Sequence, residues 1–393
     1  MNQLKAIVIA LVREFIQFLR TSSVFLRIMM LIFVAGFATI LYRYLFGIGA
    51  ISNLNDAYPW GLWISFDVLC GVALAAGGFT TAGAVHIFGG KKYEPLARPA
   101  ILTAFLGYLL VIGALWVDLG RPWKIWHPMV LWQPHSVMFE VGWCVMLYTI
   151  VLAIEFSPAF FEKFGLEKAR NAVRSFYVPG VIAGMILSTL HQSSLGSLFL
   201  IVPHKLSPIW WTPILPLMFF VSAVAVGLAM VIFESTIAAK AFKRESEIHL
   251  LKDFGRAIPW VLMVYLVMKI GDLVARQQVM LLFEMNGMAV AFWIELLVGI
   301  LLPIAILTQR DAREDGRILF GAASCVILGV VLNRFNVSMI GMRSQAWQTP
   351  YFPHLLEFLV TACVIAAGII IYAYVVKHFP IWHEAAHSGH SAE

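Results

Sequence analysis

Long apolar stretches alternate with short polar turns along most of the 393-residue chain. Each stretch is about twenty residues long, which is the length at which an α-helix crosses a bilayer. About ten such spans are predicted, and they are numbered here in chain order. They cover residues 24–46, 60–88, 98–117, 136–156, 176–200, 212–238, 258–279, 288–308, 317–340 and 354–378. The pattern therefore predicts an all-α polytopic membrane protein.

The two ends of the chain are more polar than the spans. Residues 1–23 carry apolar side chains at helical spacing, interspersed with Lys5, Arg13 and Arg20, and lack a small-residue cleavage site. This pattern predicts an amphipathic helix at the cytoplasmic membrane surface rather than a removed signal peptide. Residues 379–393 contain several histidines and are predicted to form a solvated cytoplasmic tail.

Composition and charge agree with a membrane protein, since 61% of the residues are hydrophobic and 13% are charged. The net charge of +6 is unevenly distributed over the loops. One side of the predicted topology collects about twenty of the 28 Lys and Arg residues, and the other side only about six. This asymmetry predicts that both termini lie in the cytoplasm. The positive charge is a topology signal and indicates no nucleic-acid partner.

Cysteine and histidine positions argue against a redox metal in the chain itself. The cysteines, Cys70, Cys144, Cys325 and Cys363, all lie within spans and are too far apart in sequence for a metal or iron–sulfur motif. A b-type haem needs two histidines that face each other across neighbouring helices. The histidines within apolar runs, at positions 86 and 191, lie at opposite ends of their spans. We therefore expect neither intrinsic haem nor an iron–sulfur cluster.

A single carboxylate, Asp67, interrupts the apolar run of residues 59–79. An ionisable group inside a bilayer is costly unless it faces protein, water or a ligand, so it predicts a functional site. Trp60 and Trp63 mark the nearby water interface. Gly71 and the small residues after it lie at helical spacing from Asp67 and leave room for a flat ring or for a neighbouring helix. Helix packing alone is the simpler explanation of these small residues.

Two further titratable side chains are predicted at the same depth as Asp67, near the outer face. They are Glu140 in span four and His191 in span five, where Ser194 shares one helical face with the histidine. Histidine is well suited to exchange a proton with a ligand or to bind a quinone carbonyl near neutral pH. Glu140 has no basic neighbour within one turn, so desolvation is expected to favour the neutral acid. The alternative is an ion pair with a basic residue of span seven.

Other polar side chains within the spans are candidates for a proton path. Near the inner face, Arg98 opens span three and Glu234 lies close to the end of span six, while Tyr108 is midway along span three. Glu155, at the inner end of span four, is interpreted as meeting water or a loop lysine. The last candidates share one face of span seven and are Lys269, Asp272 and Arg276. Their spacing also allows them to neutralise one another on one helix.

Several motifs carry a family resemblance. They are PWGLWISFD at 59–67, RPAIL at 98–102 with Tyr108 after it, SVMFE at 136–140, LHQSSLGSL at 190–198 and VIFES at 231–235. With these motifs the chain resembles the NrfD/polysulfide-reductase-type integral membrane subunits. Within them it is most similar to the HybB-type membrane anchor of periplasmic nickel–iron hydrogenase and to related transmembrane redox complexes. The resemblance extends over nearly the whole chain.

The resemblance implies two four-helix bundles, at residues 60–200 and 212–340, flanked by spans one and ten. It also implies a quinone site, for menaquinone or ubiquinone, near the outer face of the first bundle, and no haem of the subunit's own. The ring would lie among five side chains, namely Trp60, Trp63, Asp67, Glu140 and His191. Asp67 and His191 would bind its oxygens and supply protons, and Glu140 would reload them.

The resemblance further implies a periplasmic ferredoxin-like iron–sulfur subunit that docks at the outer face and exchanges electrons with the quinone. A further catalytic subunit is implied but not named, and could be a hydrogenase, a multihaem cytochrome c or a molybdenum enzyme. Trp123, Trp126 and Trp132, in the loop after span three, are candidate anchors for the partner or members of an interfacial tryptophan belt.

Two other functions remain open from the sequence. A secondary transporter coupled to ions or protons also has acids within the membrane, but its site usually lies at the midplane on broken helices. The acids predicted here lie off-centre. A haem-free structural anchor needs no layer of titratable groups at all. Bound quinone without haem in the purified complex distinguishes the favoured function from both.

Overall fold

The structure is a computed structural model that describes residues 2–55, 58, 60–86, 90–245, 247–284, 286–342 and 351–382. Within these residues, nine helices are long and apolar enough to cross a membrane. In chain order they are Val24–Phe46, Trp63–Val85, Glu94–Asp118, Val137–Lys163, Leu215–Ala241, Ile248–Ala275, Gly287–Leu307, Gly316–Ile340 and Leu355–His378. They correspond to predicted spans one to four and six to ten. The predicted all-α polytopic fold is confirmed.

Span five is the helix Tyr177–Ser197. It counts as a tenth candidate span when it is joined to the short helix before it, because the segments Glu167–Val173 and Val178–Ser197 form a pair bent by 58°. The short helix Glu167–Arg174 carries most of its charge on one side and ends before the apolar stretch begins. Each predicted apolar run thus has a helical counterpart.

Polar side chains cap several of the helices. Ser136 precedes span four and accepts a hydrogen bond from the Phe139 amide at 3.4 Å. Asn286 and Asp315 cap spans eight and nine, each by accepting two backbone N–H groups. These caps satisfy amide groups that have no partner within the first turn of a helix. They fix where the spans leave the polar loops.

Three spans contain π-helical segments, in which the backbone hydrogen bonds are spaced more widely than in an α-helix. The segments are Trp63–Cys70 in span two, Leu297–Leu301 in span eight and Asn336–Ile340 in span nine. Such segments are rare and occur frequently at functional sites. Each of them includes or adjoins a buried polar side chain that takes part in the clusters described below.

Close contacts between backbones hold the spans together. A Cβ atom at Gly299 in span eight would lie 2.4 Å from the Gly329 Cα atom in span nine, so neither position has room for a side chain. Spans from the two predicted bundles also touch, because a Cβ atom at Gly227 in span six would lie 2.8 Å from the Ala76 carbonyl oxygen in span two. The division into two four-helix bundles stays a prediction.

The N-terminal helix Asn2–Arg20 packs on the inner ends of other helices. The Phe18 ring contacts the Tyr374 ring of span ten at 5.6 Å, and Glu14 pairs with Lys163 at the end of span four. The predicted amphipathic helix exists, and its position at the membrane surface stays a prediction. Residues 383–393 of the predicted tail, as well as Pro59, lie outside the described residues.

Candidate functional site

His191 lies at the centre of a polar cluster between spans three, four and five. Its side chain is fully buried, and its Nδ1 atom is 2.8 Å from the Tyr108 hydroxyl. The Tyr108 ring contacts Tyr148 of span four edge-on, with 4.7 Å between the ring centroids. The other imidazole nitrogen, Nε2, has no hydrogen-bond partner among the described residues. A buried nitrogen without a partner is costly for the protein alone and is available to a ligand.

The cluster continues from His191 toward the inner end of span four. Ser188 lies one turn before His191 and faces the hydroxyl groups of Tyr108 and Tyr148. A Cβ atom at Gly184 would lie 3.4 Å from Glu155 Oε1. Glu155 is therefore buried against span five. Its interpretation as an acid that meets water or a loop lysine was wrong, because the missing side chain at Gly184 gives it room inside the protein.

Asp67 of span two faces span ten and makes no hydrogen bond to the described residues of the His191 cluster. It is buried, and its Oδ2 atom accepts a hydrogen bond of 2.9 Å from the Thr361 hydroxyl of span ten. The Trp63 indole nitrogen donates to the Glu357 carbonyl oxygen at 3.2 Å, also in span ten. Asp67 and Trp63 thus bind span ten, while His191 binds span three. These contacts do not bring Asp67 and His191 onto one ligand.

The remaining residues of the predicted quinone site also separate. Trp60 packs edge-on against Phe199, just after span five, with 5.7 Å between the ring centroids. Gly71 faces span three, where a Cβ atom would lie 3.0 Å from a methyl group of Val111. The small residue at position 71 therefore serves helix packing. Ser194 is buried and donates to the backbone oxygen of His191 at 3.1 Å.

Glu140 lies in the first turn of span four and is only partly buried. This position weakens the desolvation argument for a neutral acid. The alternative of an ion pair with span seven is wrong, because Lys269 pairs with Glu295 and Arg276 pairs with Asp272. The proposed role of Glu140 in reloading protons stays a prediction without a contact that supports it.

Two predicted proton-path residues are engaged near the inner ends of the helices. Arg98 donates to the Pro380 carbonyl oxygen at 2.9 Å and to Glu162 at 3.3 Å, which ties span three to the end of the described chain. Glu234 accepts a hydrogen bond of 2.8 Å from the Tyr372 hydroxyl of span ten. The contacts of Arg98 are typical of a structural residue, and the role of Glu234 in a proton path stays a prediction.

A second buried polar cluster joins spans seven, eight and nine, and of its residues the sequence analysis named Lys269 but missed Glu295. Its centre is Glu295 of span eight, which is 1% exposed. Glu295 pairs with Lys269 and accepts hydrogen bonds from the amide groups of Asn333, at 3.0 Å, and Asn336, at 2.7 Å. Arg334 completes this Glu295 cluster through a 2.7 Å hydrogen bond to Asn333. The signal was a lone acid in the apolar sequence GMAVAFWIEL.

Of the three polar residues on span seven, two do neutralise each other on one helix. Arg276 donates to Asp272 Oδ2 at 2.6 and 2.8 Å, and Thr212 donates to Asp272 Oδ1 at 2.6 Å. Lys269 instead reaches across to span eight. The single-helix explanation therefore holds for Asp272 and Arg276 and is wrong for Lys269.

A further acid, Glu357, closes the outer end of span ten. It is fully buried and accepts hydrogen bonds from the backbone amides of Asn53 and His354, at 3.0 and 2.9 Å, and from the Tyr351 hydroxyl. Burial and the neighbouring Glu357 carboxylate raise the pKa of Tyr351, so its hydroxyl keeps its proton and donates it. Both carboxylate oxygens are occupied, which is typical of a structural residue.

Comparisons with known proteins give the family. A family model described as "Polysulphide reductase, NrfD" matches residues 49–346. The "Probable Ni/Fe-hydrogenase 2 b-type cytochrome subunit" of Escherichia coli is 32% identical over 357 residues, which are 90% of this chain and 91% of that protein. The "Menaquinone reductase, integral membrane subunit" of Nitratidesulfovibrio vulgaris is 28% identical over 375 residues, 86% of this chain and 87% of that protein.

A more distant relative is the "Hdr-like menaquinol oxidoreductase integral membrane subunit" of Archaeoglobus fulgidus, 21% identical over 361 residues, which are 86% of this chain and 88% of the relative. The family match extends over well more than half of the chain, and the relatives align along most of its length. The resemblance inferred from the motifs is confirmed. The chain belongs to the polysulphide reductase NrfD family of multi-pass membrane proteins.

Proposed function

We propose that the protein is the quinone-reactive membrane subunit of a respiratory redox complex. It exchanges electrons between an iron–sulfur subunit at the outer face and the menaquinone or ubiquinone pool, with coupled proton transfer. The observation that carries the proposal is the buried His191 Nε2 atom, which has no hydrogen-bond partner among the residues that the structure describes. Two of the relatives bear names that refer to menaquinone or menaquinol. The same proposal places the protein in a bacterial inner membrane with both termini in the cytoplasm.

The residues of the His191 cluster fit a quinone. A quinone carbonyl oxygen accepts hydrogen bonds, and a protonated Nε2 atom donates one. Tyr108 holds the imidazole ring through Nδ1 and so fixes which nitrogen faces the ligand. When bound, the quinone supplies the two-electron chemistry. The protein supplies hydrogen bonds and protons from side chains that are buried away from water.

Proton transfer follows from the contacts of His191. In quinone reduction, Nε2 gives its proton to the quinone oxygen while Nδ1 takes one from the Tyr108 hydroxyl, 2.8 Å away. Ser188 lies near the hydroxyl groups of Tyr108 and Tyr148, and Glu155 lies near Tyr148, so these residues are the proposed source of the proton that returns to Tyr108. Quinol oxidation uses the same groups in the opposite direction. The second proton of quinone reduction follows the same route once Tyr108 has regained its proton. Asp67, held by Thr361 on the side of span ten, stays a predicted proton donor, and its contacts do not place it against the same ligand.

The experiment that tests the proposal is cofactor extraction from the purified complex, together with an absorption difference spectrum. We expect about one quinone per chain and no b-type haem band from this subunit in the wild type. The His191→Gln variant should lose most of the bound quinone, because glutamine places its polar atoms differently and loses the contact with Tyr108. Ser193→Ala is a matched control, since the Ser193 hydroxyl bonds only within its own helix, to Thr189 and Leu190.

Three outcomes of this experiment contradict parts of the proposal. A b-type haem bound to this subunit removes the expectation of a haem-free subunit. Neither quinone nor haem, in a complex that is otherwise intact by size-exclusion chromatography, favours a structural anchor. If the His191→Gln variant and the wild type contain equal amounts of quinone, the quinone does not bind at His191.

A further inference from the structure

The Glu295 cluster contains more positive than negative groups. The positive groups are Lys269 and Arg334, which are buried at 5% and 0% exposure. The negative group is the carboxylate of Glu295, which pairs with Lys269. Arg334 binds neutral oxygens of Asn333, Ser222 and Phe219, and its charge lies 3.6 Å from the centre of the Phe219 ring. Its Nε atom has no partner among the described residues. An excess positive charge inside a membrane is costly unless a proton can leave.

A route to the surface begins at Lys269. A cavity of about 10 Å³, which is room for about one water molecule, is lined by Lys269, Thr212, Asp272 and Asn333 among others. Asp272 accepts from Thr212 at 2.6 Å and pairs with Arg276, whose side chain is 19% exposed. Polar atoms therefore line the space between Lys269 and the membrane surface at which the loop between spans five and six lies.

The backbone around the cluster is irregular in two helices. The π-helical segment Leu297–Leu301 begins two residues after Glu295, and the segment Asn336–Ile340 begins at the residue that donates to Glu295. A salt bridge that only holds two regular helices together needs neither segment. Spans seven, eight and nine also supply this cluster in the same way that spans three, four and five supply the His191 cluster.

We propose that Lys269 is a proton-exchange group. It releases its ammonium proton through the cavity that Thr212 and Asp272 line, to the water near Arg276. The proton passes to water in the cavity and then to the surface. When Lys269 is neutral, the positive charge of Arg334 and the negative charge of Glu295 cancel. Tyr265 and Cys70 are the other titratable groups that face these charges, and Asp67 acts on Cys70 in turn. The inference does not depend on quinone binding.

The test is a pH-jump infrared experiment on the full-length chain in lipid nanodiscs. Glu295 is the reporter, because its carboxylate stretch shifts when Lys269 loses its charge, and Glu295→Gln assigns that band. We expect the shift in the wild type and its complete loss in Lys269→Arg, since arginine keeps the ion pair but does not release its proton. Lys240→Arg, at the inner end of span six, is the matched control and should keep the shift.

Persistence of the shift in Lys269→Arg overturns the proposal, as does its absence in the wild type. Thr212→Val tests the route, because it removes the hydroxyl that lines the cavity without removing bulk. We expect proton exchange to become roughly five- to tenfold slower, the effect of about one lost hydrogen bond. An unchanged rate excludes this route. If Lys269→Arg does not assemble, Lys269→Met replaces it, with the same expected loss of the shift.

Discussion

Glu357 and His191 are both completely buried, but their hydrogen bonding differs. Both oxygens of Glu357 are bound by groups of the protein, whereas the Nε2 atom of His191 has no hydrogen-bond partner in the described part of the chain. The free energy of a buried polar group depends on whether its donors and acceptors are paired. At the scale of single residues, this difference separates a side chain that holds the fold from one that is ready for a ligand.

A prediction follows for Glu357. Replacing it with Gln leaves the shape nearly unchanged but turns one acceptor oxygen into a donor, opposite either the Tyr351 hydroxyl or the amides of Asn53 and His354. We expect a loss of about 1–3 kcal/mol in stability, because at least one buried hydrogen bond is lost. Thermal unfolding of the purified chain measures it. Glu245→Gln, in an exposed loop, is the control and should unfold like the wild type.

An unchanged unfolding temperature in Glu357→Gln contradicts the structural role assigned to this acid. Glu357 would then be a candidate for proton transfer, since a neutral amide at this position would not lower the stability of the fold.

The sequence identified several buried polar residues but not their partners. Asp67 and His191 were found because each is a polar residue in an apolar run. Glu295 meets the same criterion and was missed. The pairing of Lys269 with Glu295 joins residues 26 positions apart on two helices, and no local spacing indicates it. Tertiary contacts of this kind decide whether an acid is neutralised by its own helix or by another one.

At the scale of helices, hydropathy predicted the spans to within a few residues at many of their ends, because length and apolarity are what a bilayer selects. The faces of span two were predicted less well. The expectation that Gly71 continues the face of Asp67 assumed α-helical spacing. The π-helical segment Trp63–Cys70 has a wider turn, so Asp67 meets span ten while Gly71 meets span three. No sequence pattern used here marks that segment.

The contact between spans eight and nine gives a prediction for a helix pair. A Cβ atom at Gly329 would lie 2.1 Å from the Gly299 Cα atom, so Gly329→Ala must push the two helices apart. We expect a loss of about 1–3 kcal/mol in stability from overpacking. The carbon-to-carbon clash involves backbone, which a side-chain rotation cannot relieve. Thermal unfolding in nanodiscs is the measurement.

Gly321→Ala is the matched control for this change, because it lies on the same helix and a Cβ atom there meets no atom within 4 Å. Alanine is the better helix former, so this variant should be as stable as the wild type or slightly more stable. If Gly329→Ala behaves like Gly321→Ala, the two helices are not in backbone contact at this position.

At the scale of the whole molecule, the family and the number of spans followed from the sequence, whereas the grouping of polar residues did not. The residues predicted to surround one quinone divide between the His191 cluster, the contacts of Asp67 with span ten and the surface near Glu140. The motifs indicated the family, but the direction in which each side chain points depends on helix rotation and on neighbouring spans. The orientation of the protein in the membrane stays a prediction from the distribution of Lys and Arg.

The surface that is predicted to face outward provides the last prediction, which concerns the proposed iron–sulfur partner. The loop between spans three and four exposes three tryptophans, with 65% of Trp123, 51% of Trp126 and 60% of Trp132 accessible. Large exposed aromatic side chains mark protein interfaces or the membrane–water boundary. A photo-crosslinker at position 126 or 132 should capture the iron–sulfur subunit in intact membranes, because aromatic anchors lie at the centre of interfaces.

Trp116 is the matched control for this experiment. It is 53% exposed but belongs to the apolar helix Glu94–Asp118, so a crosslinker there should react with lipid and capture no iron–sulfur subunit. A second control at Lys168, on the predicted inner side, tests the orientation. Capture at position 168 instead of 126 and 132 contradicts both the predicted topology and the docking surface. Lipid adducts alone at positions 126 and 132 assign the tryptophans to the membrane boundary, and the partner must then dock on another outer loop.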